Sequence, residues 1–379
     1  MSTGGAIFQI ELDIFSGLLY LIKVKINWEK EGEKGIMNQM MPSRTAILFI
    51  VSVAIAIFLM SASIGTAQDK KLAPVNISYA STSGIRTPLW IAKEMGLYEK
   101  YGLDAKVVFV PSGNVANSAL IAGEIDVICG SGSASVVAAD KGLPIVIVGN
   151  FGSAIYKLVA NPGISSAKDL KGKIVGTSRP GSSTDFALRR TLSKLGLVPD
   201  KDVKIFSTGT GEPDKRILLM TQGRIDATLA DPESIYFAEV QGKVKLEILA
   251  DLEELGIYNT VGDLSTRLDL LKTRRDRLQA FFMATSEAIW FGKKNKESAL
   301  KVISKYMKVS DPKRLDLIYG DSLARMAAKP YPREEAIRLE LENMAFADPR
   351  FKDKKASEFM DNSILAELES KGFFDRLHR

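Results

Sequence analysis

Ala119-Leu-Ile-Ala-Gly-Glu-Ile-Asp-Val-Ile-Cys129 leads into Gly130-Ser-Gly-Ser-Ala-Ser135, and Leu218-Leu-Met-Thr-Gln-Gly-Arg-Ile-Asp-Ala-Thr-Leu229 leads into Ala230-Asp-Pro-Glu-Ser234; the two stretches are one unit written twice. In each, a helix ends on a glycine (Gly123, Gly223) and an Ile-Asp pair (Ile125-Asp126, Ile225-Asp226) opens an apolar strand. Each strand then runs into a polar loop. A duplicated helix–strand–loop unit predicts two similar lobes facing one another, a geometry suited to clamping a ligand.

Outward from the first copy, the pattern predicts strands at Val75–Ala80, Ala105–Val110, Ile125–Cys129 and Ile145–Val148. Helices are predicted at Pro88–Tyr101 and Val115–Ile121, so the order is βαβαβ, which implies a parallel sheet with helices on its faces. The second copy repeats that order with strands Lys173–Thr177, Val203–Phe206 and Ile225–Leu229 and helices Thr184–Leu195 and Asp214–Gln222. Tyr156–Asn161, closed by the turn signal Asn161-Pro162-Gly163, and Val244–Leu249 are expected to cross between the lobes and form a hinge. Lobe one is then 75–160 plus 247–379, and lobe two is 161–246. Beyond Asp251 the chain reads as helices (Arg274–Phe291, Lys296–Met307, Asp311–Ala327, Glu334–Met344 and a short one near Ile364–Leu368) that pack back on lobe one.

The chain has 379 residues, 46% hydrophobic and 25% charged, as expected for a folded α/β protein. Its 51 basic and 45 acidic residues give a net charge of +6 with the signs interspersed, which argues against a nucleic-acid surface. Cys129 is the one cysteine, so no intramolecular disulfide is expected. His378 is the one histidine, penultimate in the chain, which argues against Ser-His-Asp triads and histidine-bearing zinc motifs. No metal and no cofactor is expected. Ala46–Met60 is apolar except Ser52, follows Arg44, and precedes Gly65-Thr-Ala67, which reads as a secretory signal cleaved after Ala67; an uncleaved anchor is the alternative. The first 36 residues fit that scheme poorly, and Met37, Met40 or Met41 is the expected start. The mature chain is therefore expected in the periplasm.

Ligands of parallel α/β sheets bind outside the carboxyl ends of the strands. That rule selects Ser81–Thr87, Pro111–Asn114, Gly130–Ser133, Ser178–Thr184, Thr208–Pro213 and Asp231–Ser234, all but the last notably rich in Ser, Thr and Gly. Ser182, three residues before Asp185, resembles a capping box at a helix start, whose free N–H groups can hold an anion, with Arg86 and Arg179 in support. Asp185, Glu212, Asp231 and Glu233 pull towards an amine or zwitterion, so the ligand's charge stays open. Among the nearby aromatics Trp90, Phe151, Tyr156, Tyr236 and Phe237, one or two could stack on a ligand.

From about Val75 to Gly242 the sequence resembles the substrate-binding proteins of the nitrate/sulfonate/taurine transporter type, which share their fold with the thiamine-pyrimidine synthases. The resemblance rests on Pro88-Leu-Trp-Ile-Ala-Lys-Glu-Met-Gly-Leu-Tyr-Glu-Lys-Tyr-Gly-Leu-Asp104, Pro111-Ser-Gly113, Ala119–Val127, Asp169-Leu-Lys-Gly-Lys-Ile-Val-Gly176 and Gly181-Ser-Ser183. It implies a type II periplasmic binding protein fold: two α/β lobes, a two-crossing hinge and a helical C-terminal region. It also implies a monomer that captures a small organic solute, anionic and sulfonate- or carboxylate-like, between its lobes and delivers it to an ABC permease and ATPase. By position, the resemblance puts Ser81, Thr82, Ser83, Ser112, Gly113, Ser131, Ser182 and Ser183 at the ligand, with Asp231 where ligands vary. Reading the residues alone adds Arg86, Arg179, Thr184 and Glu212. The synthases depend on a histidine and a cysteine-rich motif that this chain lacks. An enzyme using Glu212, Asp231 and Glu233 as acid and base, or a sensory binding protein, are the alternatives.

Overall fold

Both copies of the twin unit fold alike, and their backbones show why. Gly123 and Gly223 sit at φ +79° and +72°, the left-handed region that ends a helix without a Cβ clash. The orphan carbonyls of the last turn are closed identically, by Glu124 N–H to Ala119 O and by Arg224 N–H to Leu219 O, both 2.9–3.0 Å. The Ile-Asp pair then docks the next strand on its neighbour. Asp126 Oδ2 accepts from Asn76 N–H and Asp226 Oδ2 from Ile174 N–H, each at 2.8 Å. One carboxylate per lobe thus sets strand register.

The computed structural model describes residues 72–110 and 113–377. The N-terminal extension, the secretion segment with its cleavage after Ala67, the alternative starts, Ser112 and His378 lie outside them. In lobe one, β1 (Ala73–Tyr79) leads through a 3-10 turn, Gly84–Arg86, to α1 (Thr87–Glu94) and α2 (Leu97–Lys100). There follow β2 (Leu103–Phe109), α3 (Gly113–Ala122), β3 (Val127–Gly130), α4 (Gly132–Asp140) and β4 (Ile145–Asn150). The chain crosses and forms β5 (Lys157–Ala160), β6 (Ile174–Thr177), α5 (Ser183–Lys194), β7 (Lys204–Ser207), α6 (Pro213–Thr221), β8 (Ala227–Ala230), α7 (Pro232–Val240) and β9 (Glu247–Asp251). It returns through β10 (Asp263–Arg267) and ends in α8 (Leu270–Thr273), α9 (Arg275–Lys294), α10 (Lys296–Met307), α11 (Pro312–Asp321), α12 (Glu334–Ala347), α13 (Ser363–Ser370) and α14 (Phe373–Leu377).

The sheets are β2-β1-β3-β10-β4 and β7-β6-β8-β5-β9, one order written twice. The sequence pattern implied parallel sheets; both are mixed, with the fourth strand antiparallel to its neighbours. That strand is in each case the first after a crossing, β5 entering the second sheet and β10 the first. The lobe limits shift accordingly. β5 and β9, read as lobe-one ends or crossings, pair with each other inside the second sheet, with Leu158 opposite Ala250. The actual crossings, residues 151–156 and 252–262, carry no strand. They are tied by Asn259, 2% exposed, whose side chain exchanges hydrogen bonds with both backbone groups of Ala154 (3.1 and 2.6 Å).

Two expected polar loops prove to be helix starts, α4 and α7. Their sequences lack an amphipathic period because α4 is buried on several sides, with Ser133 and Ser135 inside beside Val136. The expected Pro88–Tyr101 helix is two, broken where Gly96 turns left-handed at φ 63°. Trp90 is fully buried, stacked on Tyr306 of α10 (centroids 5.1 Å, planes 9° apart) and edge-on to Tyr79. Burying a side chain of this size contributes about 1.5–3 kcal/mol, and it anchors the C-terminal helices on lobe one as expected. Those helices also reach lobe two: α11 packs on α7 and α12 on α5.

Gly262 in the second crossing lies against Gly152 in the first, so a methyl at 262 would overlap the Gly152 carbonyl oxygen. Gly262→Ala therefore forces the crossings apart. Urea unfolding is expected to show a loss of about 3 kcal/mol, at the high end of overpacking; a loss under about 0.5 kcal/mol would show that the crossings part without strain.

Candidate functional site

Five of the six strand ends picked from sequence meet in one cleft between the lobes. Lobe one contributes Ala80 and Ser81 after β1, Gly113 and Asn114 after β2, and Ser131 and Ala134 after β3. Lobe two contributes Ser178 through Thr184 after β6 and Gly211 after β7, and the crossings add Tyr156 and Val261. The space they enclose, open solvent at the mouth included, is about 640 Å³. The lobes meet across its floor. Ser183 Oγ lies 2.8 Å from Ser131 Oγ, 3.0 Å from Ser133 Oγ and 2.8 Å from Thr260 Oγ1. The Ser183 N–H also donates to Ser131 Oγ at 3.2 Å.

Arg86 gives the cleft its charge. The tight turn Gly84–Arg86 ahead of α1 pins its backbone, and the side chain is 1% exposed. Its guanidinium donates to Cys129 Sγ (3.1 Å) and to Ser81 Oγ (3.3 Å), both neutral acceptors, and Nε has no partner. Among the described residues no carboxylate lies within ion-pair distance of it. Its direct partners are all neutral; the acid that feels its charge from further off is Asp263, itself raised by burial to about 7. A buried cation so weakly compensated is costly, and an anion in the cleft would offset that cost. Burial pushes the Cys129 thiol up, so the thiol does not supply that anion.

Helix starts add to the positive end. The first turns of α3, α4 and α5 line the cleft, with Ser131 capping α4 at Ala134 N–H and Ser182 capping α5 at Asp185 N–H. Each turn carries the partial positive charge of a helix start. The N–H groups at the start of α4 are already taken by Thr260 and Ser131, and those of Ser183 and Asp185 in α5 by Ser131 and Ser182. Asp185 is turned away, accepting from Gly181 N–H and pairing with Arg189. Tyr156 forms part of the wall, its hydroxyl close to Thr184 and Arg216. The lining residues include two arginines, Arg86 and Arg179, and no carboxylate.

Of the residues picked from sequence, Ser81, Arg86, Gly113, Ser131, Arg179, Ser182, Ser183 and Thr184 line the cleft. Thr82, Ser83, Glu212 and Asp231 do not line the cleft. Ser83 caps the turn before Arg86, and Glu212 pairs with Lys215 at 2.6 Å. Asp231 caps α7 at Ser234 N–H and faces a neighbouring recess with Ser83, Glu233 and Asp321. Its capping place in the twin unit explains its position without a ligand. The amine-favouring acids are therefore outside the cleft, and Glu212, Asp231 and Glu233 do not converge on it as an acid–base set. Of the candidate aromatics only Tyr156 lines it. Asn114, Ser178, Gly211 and Val261 were missed; the first three lay in selected loops, whereas Val261 lies in a crossing that carries no periodic signal.

Behind the floor sits Glu340 of α12, 1% exposed, accepting from Ser133 Oγ at 2.5 Å; burial pushes its carboxyl up to about 8. Asp263, also 1% exposed, accepts from the Asn150 side chain while its Oδ2 has no partner, and burial raises it to about 7. Both acids lie under the hydroxyl network rather than in the cleft.

A family model described as NMT1/THI5 like matches residues 86–299, more than half of the chain. A Brucella abortus (strain 2308) relative described as a "putative binding protein" is 27% identical over 243 residues, 62% of this chain and 72% of its own length. The periplasmic aliphatic sulphonate binding protein SsuA from Escherichia coli is similar in structure with a TM-score of 0.59 at 20% identity, covering 76% of this chain and 97% of that one. The periplasmic nitrate-binding protein NrtA from Synechocystis PCC 6803 gives 0.58 at 16% identity, covering 81% and 88%. These likenesses establish the two-lobed fold of the periplasmic binding proteins.

Proposed function

The chain belongs to the NMT1/THI5-like family, and from that premise we propose that it is a solute-binding protein which closes on a small organic anion, a sulfonate or carboxylate, and passes it to an ABC importer. The observation that carries this reading is Arg86, a buried guanidinium at the cleft with no carboxylate of its own. The start of α3, the helix-start charge of α4 and α5, and the hydroxyls of Ser81, Ser131, Ser182, Ser183 and Thr184 would hold the anion's oxygens, with Arg179 beside them. The two-lobed relatives named for sulphonate and nitrate support the anionic class. Binding occurs without turnover, because the acids that could serve catalysis face away from the cleft.

The protein acts outside the cytoplasm as a monomer, its partners an inner-membrane permease and ATPase. The secretion signal ending near Ala67 supports that placement; among the described residues no helix is long and apolar enough to cross a membrane.

Thermal unfolding of the purified protein with alkanesulfonates, carboxylates, nitrate and primary amines tests the reading. Stabilisation by a sulfonate or carboxylate is expected, about 2.7 kcal/mol at one hundred times Kd. Stabilisation by amines alone would overturn the anionic assignment, and product formation from a bound ligand would overturn binding without turnover.

A further inference from the structure

α11 belongs to lobe one by its core and to lobe two by its charge. Ile318 and Tyr319 are part of the lobe-one core, Asp316 pairs with Lys296 of α10 at 3.0 Å, and Tyr319 donates to the Gly292 carbonyl of α9. One turn earlier on the same helix, Arg314 reaches across to lobe two. Its Nε donates to Glu233 Oε2 at the start of α7 and its second terminal nitrogen to Asp214 Oδ2 at the start of α6, both at 2.5 Å. The guanidinium lies over the Phe237 ring, 4.1 Å from its centroid, and is 7% exposed. Lys313 sits over Tyr236, 5.0 Å from its centroid, extending the contact along α7.

The far end of the same helix packs on the turn that presents Arg86. Ile318 and Ser322 approach Gly84 so closely that a Cβ there would overlap both. One rigid ten-residue element therefore joins two helix starts of lobe two to the cleft arginine of lobe one.

We propose that Arg314 is a cross-lobe latch, a positioning residue that holds the lobes closed and keeps the Arg86 turn facing lobe two. Arg314 itself stays outside the cleft. A forked, buried and stacked guanidinium suits this role, because its two bonds fix direction as well as distance. With the latch broken, the open form gains population, and the apparent affinity falls by the fraction of molecules still closed. The proposal rests on the cleft being the ligand site, yet it can be tested without any ligand.

The test is Arg314→Met, which keeps an apolar stem on Phe237 and removes the charge, compared with wild type in the ligand-free state. Small-angle scattering is expected to give a larger radius of gyration for the variant. Exchange of the Ser183 amide, bonded across the lobes to Ser131, is expected to speed up about tenfold or more relative to amides inside either sheet. Arg314→Lys should recover part of both changes. The pair Asp214→Asn with Glu233→Gln attacks the same latch from lobe two, and should reproduce them even if Arg314→Met folds poorly. A lower melting temperature with unchanged radius and unchanged relative Ser183 exchange would overturn the proposal, leaving Arg314 as packing alone. A failure of every anion to bind would count against the proposed function and not against the latch.

Discussion

Replacing Arg86 with methionine is expected to abolish tight anion binding while making the ligand-free protein more stable. The two effects share one cause. In the free protein the guanidinium is buried against a thiol and a serine hydroxyl, with Nε unsatisfied. Methionine fills similar volume without the charge, and exchanging buried ions for apolar groups is worth about 1–4 kcal/mol in favourable cases. With anion bound the balance reverses. Truncating one partner of a buried, hydrogen-bonded charge pair costs about 2–5 kcal/mol, which corresponds to a loss of roughly 30-fold to several thousand-fold in affinity. Arg86→Lys should fall between, since an ammonium keeps the charge and loses the fork. Calorimetric titration with the best stabiliser from the ligand panel, alongside thermal unfolding of both free proteins, measures the pair of effects. An affinity within twofold of wild type would remove Arg86 from the site.

The second large effect concerns pH. Glu340 is expected to be protonated in the folded protein at neutral pH, because burial raises it to about 8 from the usual 4.5. Between those values the folded state holds a proton that the unfolded chain has released. Stability must therefore decline as pH rises from about 4.5 to 8, by about 1.4 kcal/mol per unit at full occupancy. Glu340→Gln cannot ionise, and its carbonyl can still accept from Ser133. The variant should be equal to or slightly weaker than wild type at pH 5 and stronger at pH 9, with a difference on the order of 3–5 kcal/mol between those ends. Glu233, raised by burial and by Asp231, adds the same slope to both proteins, whereas Asp263, raised by burial to about 7, also pushes Glu340 up, so the difference reports Glu340 together with its coupling to Asp263. Urea unfolding at pH 5, 7 and 9 measures it. Parallel stability curves would mean that Glu340 is ionised in the fold.

Much of the architecture was legible because it depends on local rules. Gly123 and Gly223 stop helices by their own conformational freedom, and Asp126 and Asp226 dock strands through backbone N–H groups close at hand. Such features repeat when a unit repeats, so the duplication could be read without an alignment. The cleft's serines were legible for a related reason, since strand carboxyl ends and helix starts converge in this class of sheet.

What the pattern missed depends on distant partners. β10, Asp-Leu-Ser-Thr-Arg, has no strong alternation, and it becomes a strand because β3 and β4 offer it two free edges. α4 and α7 looked like loops because burial on several sides erased their period. Asp231 looked like a ligand group by symmetry with Ser131, yet it faces the recess beside Glu233 while Ser131 faces the cleft.

By itself the sequence determined the twin lobes at Ala119–Ser135 and Leu218–Ser234, the hydroxyl-rich strand ends and the candidacy of Arg86, because each follows from short-range backbone chemistry. Only the tertiary structure decided the sign of the cleft. Formal charges along the chain pulled both ways. Folding turned Glu212 to Lys215, Asp231 to the start of α7 and Glu233 to Arg314, and left Arg86 buried with neutral partners. A charge's effect depends on which side of a sheet its neighbours fall, and that is set by packing across the whole domain.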